Sequence, residues 1–234
     1  MNHPQLELLT PPGGAAGPLL VERPGLRLRL WRGWLADGAA ELLRLREDVP
    51  WRQEEIRLWG RVHPLPRLTC WMADPGCAYS YSGLTQIPVP WSPTAGRLRS
   101  LVEETAATAF NALLLNLYRD GSDRMGWHAD DEPELDAAAP IASLSLGASR
   151  DFQLRPRRPD GEGRRPILTL TLNDGDLLLM DPPSQVHWQH QLPARRRQGQ
   201  ARLNLTFRRV LARAPGGGAG PGDPSAGEQG IEPT

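Results

Sequence analysis

His128 and Asp130 stand two positions apart in Gly126-Trp-His128-Ala-Asp130-Asp131. On extended backbone, residues i and i+2 point to the same face, so an imidazole and a carboxylate at this spacing can chelate one cation. A third ligand has to come from elsewhere in the chain. Of five histidines, His3 lies in a polar, Pro/Gly-rich start and His63 precedes a proline, which leaves His187 and His190 in Gln185-Val-His187-Trp-Gln-His190. Two histidines and one carboxylate on one face, with open positions opposite, suit Fe(II) in non-haem oxygen chemistry. Taken alone, a His-x-Asp is more often a surface histidine beside a solvated acidic run than a ligand pair.

A second constellation sits near the end of the chain. In Arg202-Leu-Asn-Leu-Thr-Phe-Arg208, Leu203, Leu205 and Phe207 form one face of a strand, and Arg202, Asn204, Thr206 and Arg208 form the other. If the apolar side packs outward against a helix, two guanidinium groups face the interior. Burying them without a partner is costly, so an anionic ligand is the natural occupant. The two Arg Cα atoms would lie about 20 Å apart on an ideal strand, and their long side chains could converge on a dicarboxylate held between them. The competing reading is an edge strand whose polar residues face water.

The elements that must position these groups can be read in order. Residues 1–25 are broken by Pro11-Pro-Gly-Gly14, Pro18 and Pro24-Gly25 and read as a flexible arm. Leu26–Trp31 alternates apolar and basic residues, as a half-buried strand does. Asp37 can cap a helix to about Glu47 with Leu42, Leu43 and Leu45 partly buried. Trp51 to Trp59 reads as a strand. The stretch from His63 to Pro93 is aromatic and punctuated by prolines, a composition that serves either packing or stacking on nucleobases. Ser92-Pro93 is an N-cap with proline at the first helical position, opening a helix to about Phe110. Strands then follow at short intervals. Leu113, Leu115 and Leu117 face one way and Asn116 and Tyr118 the other. Leu144 and Leu146, then Asp151–Arg155, Leu168–Leu172 and Leu177–Met180 continue the series, with a turn at Asn173-Asp-Gly-Asp176. The expected fold is α+β, mainly β: a double-stranded β-helix, or jelly roll, with helices packed outside. The tail from 213 to 234 is Gly, Pro, Ala and scattered acids and reads as disordered.

Length and composition set bounds. The chain of 234 residues suits one domain with a sizeable core. All 27 cationic side chains are Arg, which follows most simply from a genome rich in Arg, Ala, Gly and Pro codons. Net charge is zero, but residues 120–136 hold seven acids against Arg124, and residues 150–209 hold twelve Arg against six acids. A basic second half fits a polyanionic partner. No apolar run approaches a membrane span and no basic-then-apolar signal opens the chain, so a cytoplasmic protein is expected. Cys70 and Cys77 are too few for a structural zinc site and read as free thiols. No obligate protein partner is evident, and a monomer is expected.

Taken together, the motifs resemble the AlkB-like dioxygenases, a family that depends on Fe(II) and 2-oxoglutarate. The matching segments are Asn116-x-Tyr118-x-Asp-Gly, His128-x-Asp130, Pro140-Ile-Ala-Ser-Leu-Ser-Leu-Gly147 and Arg150-Asp-Phe152, followed by Gly175-Asp-Leu-Leu-Leu-Met180, His190-x-x-Pro193 and Arg202-x-Asn-Leu-Thr-Phe-Arg208. They occur in family order between about Trp51 and Val210, and the details are most similar to the branch of the human DNA-repair homologue two and its bacterial relatives. The resemblance implies a dioxygenase domain over 26–212, with a nucleotide-recognition region at about 51–93 and a β-helix core at about 111–210. It implies His128, Asp130 and His190 as iron ligands, and Asn116, Tyr118, Arg202, Asn204, Thr206 and Arg208 as the 2-oxoglutarate site. Asp131 matches a residue that contacts the substrate base. Leu58-Trp59-Gly60 and His63-Pro-Leu-Pro66-Arg67 resemble an element that pushes an apolar side chain, here Trp59, into a duplex to fill the gap left by a flipped base. Tyr79, Tyr81, Ser82 and Gly83 resemble residues of the substrate pocket. Met72-Ala73 departs from the family, which usually has an aromatic followed by Gly; a polarizable Met can still pack on a base.

The implied activity is oxidative dealkylation of N-alkylated bases, N1-methyladenine and N3-methylcytosine in DNA, with O₂ and 2-oxoglutarate as co-substrates. The hydroxylated alkyl carbon then leaves as an aldehyde. Alternatives are the same oxygenase chemistry on RNA, protein or a small molecule, and a catalytically silent nucleic-acid-binding module. A silent copy would be expected to have lost a ligand, and all are present. A zinc hydrolase lacks an evident general base and leaves Arg202 and Arg208 unexplained.

Overall fold

The computed structural model describes residues 17–58, 61–77, 79–81, 84–86 and 88–211. In chain order the strands and helices are β1 (Leu19–Arg23), β2 (Leu26–Trp31), α1 (Gly38–Asp48), β3 (Glu55–Leu58), β4 (Arg61–Pro64), β5 (Leu68–Ala73), β6 (Tyr79–Tyr81), β7 (Leu84–Gln86) and α2 (Pro93–Ala106). They continue with β8 (Ala112–Tyr118), β9 (Met125–His128), β10 (Ile141–Gly147), β11 (Arg150–Pro156), β12 (Leu168–Leu172), β13 (Leu177–Asp181), α3 (Ser184–His187), β14 (Trp188–Leu192) and β15 (Arg202–Arg208).

Period-2 patterning decides the architecture. Leu113, Leu115 and Leu117 of β8 and Leu203, Leu205 and Phe207 of β15 are buried in one cluster with Leu42 and Leu45 of α1 and Leu98, Leu101 and Val102 of α2. A second cluster joins Leu28, Leu30, Leu114, Ile141 and Leu178 to Phe152, Leu154, Leu172 and Trp188. One seven-stranded sheet, in the order β1-β2-β13-β10-β15-β8-β5, therefore carries helices on its outer face and a four-stranded sheet, β12-β11-β14-β9, on its inner face. All pairings within these sheets are antiparallel. This is the expected jelly roll with helices outside. A strand covered on both faces loses its exposed alternation, which is why every residue of β8 is buried.

Turn chemistry closes the barrel. Gly175 has φ +74, and a Cβ there would lie 2.1 Å from the Leu35 carbonyl oxygen, so only glycine lets the β12–β13 turn meet the chain entering α1. Asp176 is buried and accepts from Gly33 N at 2.8 Å and Asn173 N at 2.9 Å, satisfying both sides of that junction.

Several expectations need correction. Leu19–Arg23, expected in the loose arm, pairs with β2 across the Pro24-Gly25 turn; residues 1–16 lie outside the described residues. Of the strand expected from Trp51 to Trp59, only Glu55–Leu58 forms, while Arg52 makes an isolated bridge to Thr69. The punctuated stretch after His63 contains β5, which continues the large sheet beside β8. Ser92 caps α2 as expected, its Oγ accepting from Ala95 N at 3.2 Å, but the helix stops at Ala106 because Ala107 adopts φ 52. Asp37 precedes α1 without a side-chain capping bond, and Leu43 is 59% exposed rather than partly buried. Met72 is 1% exposed in the cluster beneath the helices, so it cannot pack on a base. The tail from 213 onward lies outside the described residues.

Candidate active site

β9 and β14 are neighbours in the small sheet, with His128 opposite His190. Their rings meet edge to face, with centroids 4.2 Å apart. Asp130 follows β9 on irregular backbone, and its Oδ2 lies 4.0 Å from His190 Nε2. One ligand atom from each of His128, Asp130 and His190 falls within 4.8 Å of the others. His187 is outside this group; it ends α3 and is exposed. The choice between the two histidines therefore falls on His190.

The electrostatics suit a divalent cation. Burial, reinforced by the neighbouring His128, pushes His190 down to about 3, so its imidazole is neutral at ordinary pH. Burial also lowers His128. Its Nδ1 lies 2.8 Å from the Gly126 carbonyl oxygen, which selects the Nδ1–H tautomer and leaves Nε2 with a free lone pair. Burial works to raise the Asp130 carboxyl, but the Arg208 guanidinium and then the two imidazoles outweigh it and hold it below the usual carboxylate range. Two neutral nitrogens and one anionic oxygen form a donor set that fits Fe(II).

The other half of the cavity is the inner face of the large sheet. β15 lies between β10 and β8, in register so that Asn204 is flanked by Ser145 and Asn116, and Arg202 by Gly147 and Tyr118. Asn116, Tyr118, Arg202, Asn204, Thr206 and Arg208 line one cavity with His128, Asp130 and His190, closed by apolar groups including Leu114, Phe152, Met180 and Leu192. The nine positions expected for metal and keto acid are thus brought together. Both arginines line this cavity, but they differ in their partners. Arg208 Nη2 donates to Asp130 Oδ1 at 2.5 Å, both side chains being almost fully buried.

Arg202 is also buried, at 2% exposure, yet its Nη2 donates only to neutral oxygens, Ser145 Oγ at 2.8 Å and Asn204 Oδ1 at 2.9 Å. Its Nε has no partner among the described residues, and no carboxylate there pairs with it. Burial draws it down to about 10, so it stays cationic at neutral pH. A buried guanidinium with an unpaired N–H, beside Asn204 and Thr206, fits the distal carboxylate of a keto diacid.

Loop packing holds the Tyr118 end. Gly121 N donates to Gln198 O at 2.7 Å and Arg195 N donates to Gly121 O at 2.6 Å; a Cβ on Gly121 would lie 1.8 Å from Arg195 O. Arg150, 1% exposed, ties the same loops through the carbonyl oxygens of Asp120, Asp123 and Pro193. Its guanidinium carbon and that of Arg202 lie 5.9 and 5.6 Å from the centre of the Tyr118 ring.

The expected substrate contacts are less completely described. Asp131 is exposed and ion-paired with Arg157 and is not among the cavity-lining residues. Tyr79 and Tyr81 lie on β6, paired with β7. Trp59, Gly60, Ser82 and Gly83 lie outside the described residues. Arg67, read with the duplex-inserting element, is instead 5% exposed and donates to Asn116 Oδ1 at 2.8 Å. Sequence reasoning also missed Gln185, whose Oε1 accepts from Asp130 N at 3.0 Å. Neither contact has a local signal, since the partners are 49 and 55 positions apart.

Comparison with known proteins agrees with this geometry. The family model described as the 2OG-Fe(II) oxygenase superfamily matches residues 28–208. The DNA oxidative demethylase ALKBH2 of Mus musculus is 39% identical over 218 residues, covering 86% of this chain and 90% of that protein. The human ALKBH2 is 42% identical over 161 residues, 67% of this chain and 61% of that protein. The alpha-ketoglutarate-dependent dioxygenase alkB homolog 3 of Rattus norvegicus is 36% identical over 243 residues, 96% of this chain and 79% of that protein. A solved structure of OsALKBH1 aligns with a TM-score of 0.53 at 19% identity, over 81% of this chain and 100% of that one, which is a likeness of fold. The chain belongs to the 2OG-Fe(II) oxygenase superfamily, as an AlkB-like dioxygenase working with Fe(II), 2-oxoglutarate and O₂.

Proposed function

We propose that this protein repairs DNA by oxidative dealkylation of N-alkylated bases, N1-methyladenine and N3-methylcytosine being its substrates. The observation that carries the chemistry is Arg202, a buried cation without an internal carboxylate, in the same cavity as His128, Asp130 and His190. The nucleic-acid substrate is supported by relatives named DNA oxidative demethylase at 39% and 42% identity. The surplus of Arg in residues 150–209 agrees with a polyanionic partner.

In this reading His128 Nε2, Asp130 Oδ2 and His190 Nε2 hold the iron. Arg202, with Asn116, Tyr118, Asn204 and Thr206, holds the distal carboxylate of 2-oxoglutarate, and Arg208 serves the end beside Asp130. When bound, the iron, keto acid and O₂ supply hydroxylation of the alkyl carbon, coupled to release of succinate and CO₂. The chain's own task is orientation and exclusion of water. Leu114, Phe152, Met180 and Leu192 close the cavity, and the hydrogen bond from His128 Nδ1–H to Gly126 O fixes that ring against rotation. The base must leave its stack to reach the site. Trp59 acts as the wedge that fills the gap, while Gly60, Asp131, Tyr79, Tyr81, Ser82 and Gly83 contact the substrate nucleic acid; these roles rest on the family resemblance. No described helix is long and apolar enough to cross a membrane. A reducing compartment such as the cytoplasm agrees with the free Cys70 and Cys77, and the protein is proposed to act there as a monomer.

The test is formaldehyde release from oligonucleotides carrying either lesion, with Fe(II), ascorbate and 2-oxoglutarate, comparing single- and double-stranded DNA and RNA. Iron- and keto-acid-dependent release from DNA is expected. Release from RNA alone would move the substrate to RNA. Succinate without base repair would keep the oxygenase and discard the nucleobase substrate.

A further inference from the structure

Asp130 lies beyond the end of β9, so the sheet ladder does not fix its backbone. We propose that Gln185 is a positioning residue for the metal site, holding the Asp130 backbone so that its carboxylate meets the cation; this rests on the iron-site assignment above.

Three observations support it. Gln185 Oε1 accepts from Asp130 N at 3.0 Å, while its amide nitrogen faces the Met180 sulfur at 3.4 Å. A reversed amide would set two N–H donors against each other, so the Asp130 N–H itself selects this orientation. The platform carrying Gln185 is anchored on both sides. Ser184 Oγ accepts from Arg27 N at 2.9 Å and donates to Arg27 O at 3.1 Å, and Trp188 Nε1 donates to Pro24 O at 3.0 Å. From the opposite side, Arg157 N donates to His187 O at 2.8 Å and Arg157 Nη1 to Gln185 O at 3.3 Å. Finally, Asp130 Oδ1 is taken by Arg208, so Oδ2 is the oxygen nearest His190. Gln185 from the backbone side and Arg208 from the carboxylate side therefore leave Asp130 one way to present a ligand.

The test measures Co(II) binding to metal-free full-length protein by titration of the visible absorption band, with thermal unfolding of the metal-free form alongside. Gln185→Met keeps similar volume but removes the acceptor; Gln185→Glu restores an acceptor oxygen. Gln185→Met is expected to weaken Co(II) binding about 10-fold and to shift the band, while Gln185→Glu stays within about twofold of wild type. The metal-free unfolding midpoint should change little in either variant. A Gln185→Met protein with wild-type affinity and band overturns the proposal, and so does a Gln185→Glu protein that falls as far as Gln185→Met. His128→Ala separates the two levels of the argument. If it binds Co(II) like wild type, the metal-site assignment itself fails; if it loses the metal while Gln185→Met does not, only the positioning role fails.

Discussion

Arg202 and Arg208 are the same residue type at opposite ends of one strand, both on its inner face and both almost fully buried. Their surroundings differ in one respect. Arg208 donates to the buried carboxylate of Asp130, whereas Arg202 meets only neutral oxygens. An ion pair completed inside the protein fixes geometry in the metal-free fold. A buried cation without an acid stores an unfavourable desolvation that a ligand carboxylate can relieve. One end of the cavity is electrostatically complete within the chain, and the other suits an anionic ligand.

The strongest way to break that contrast is to remove the acid that defines it. Asp130→Ala should abolish turnover and iron retention, and it leaves Arg208 without its carboxylate. Removing one partner of a buried pair typically costs about 3–5 kcal/mol. Iron content and thermal unfolding check both effects; near-wild-type iron content would remove Asp130 from the ligand set. Arg208→Met attacks the same pair from the other side, with an expected stability loss of about the same 3–5 kcal/mol.

Arg202→Met should behave oppositely in the metal-free protein. With no internal carboxylate to orphan and only neutral oxygens as partners, Arg202→Met should leave the unfolding midpoint close to that of wild type, well above that of Arg208→Met. Affinity for 2-oxoglutarate should drop roughly 10- to 100-fold, the worth of a charged hydrogen bond. Equal destabilisation by the two Met substitutions would erase the distinction between the ends of β15, and an unchanged 2-oxoglutarate affinity would place the distal carboxylate elsewhere.

How much of this could be read from the chain depended on whether a residue's role is local. On β15 the alternation separates Leu203, Leu205 and Phe207 from Arg202, Asn204, Thr206 and Arg208, and the structure keeps that division. The jelly roll was legible for the same reason. β5 was not, because its run from Leu68 to Ala73 is largely buried and so lacks the alternation that marks a half-exposed strand. The early end of α2 was hidden because Ala107, not a glycine, takes the left-handed conformation. β1 was hidden by flanking Pro and Gly and by its own exposure. The Arg208–Asp130 pair carried no signal in the chain because its partners stand 78 positions apart. Side-chain direction on a strand is a local property; the choice of ion-pair partner is made by the assembled sheets.

The smallest effect concerns His187, which chain spacing alone left equal to His190. On β14 the burial alternates so that Trp188, His190 and Leu192 face inward, whereas His187 precedes the strand as the last residue of α3. The His187 side chain packs instead against the β1–β2 turn, where a Cβ on Gly25 would lie 2.7 Å from His187 Cβ. His187→Ala therefore removes an exposed ring and no donor to the cavity. Its expected cost is within about 0.5 kcal/mol of stability, as for other surface substitutions. Iron retention and turnover should match wild type, while His190→Ala should lose both. Because the two histidines share a short segment, a disturbance of the α3–β14 backbone would affect both variants alike. Only a ligand role separates them, and the reverse pattern, iron lost with His187→Ala and kept with His190→Ala, would reassign the third ligand.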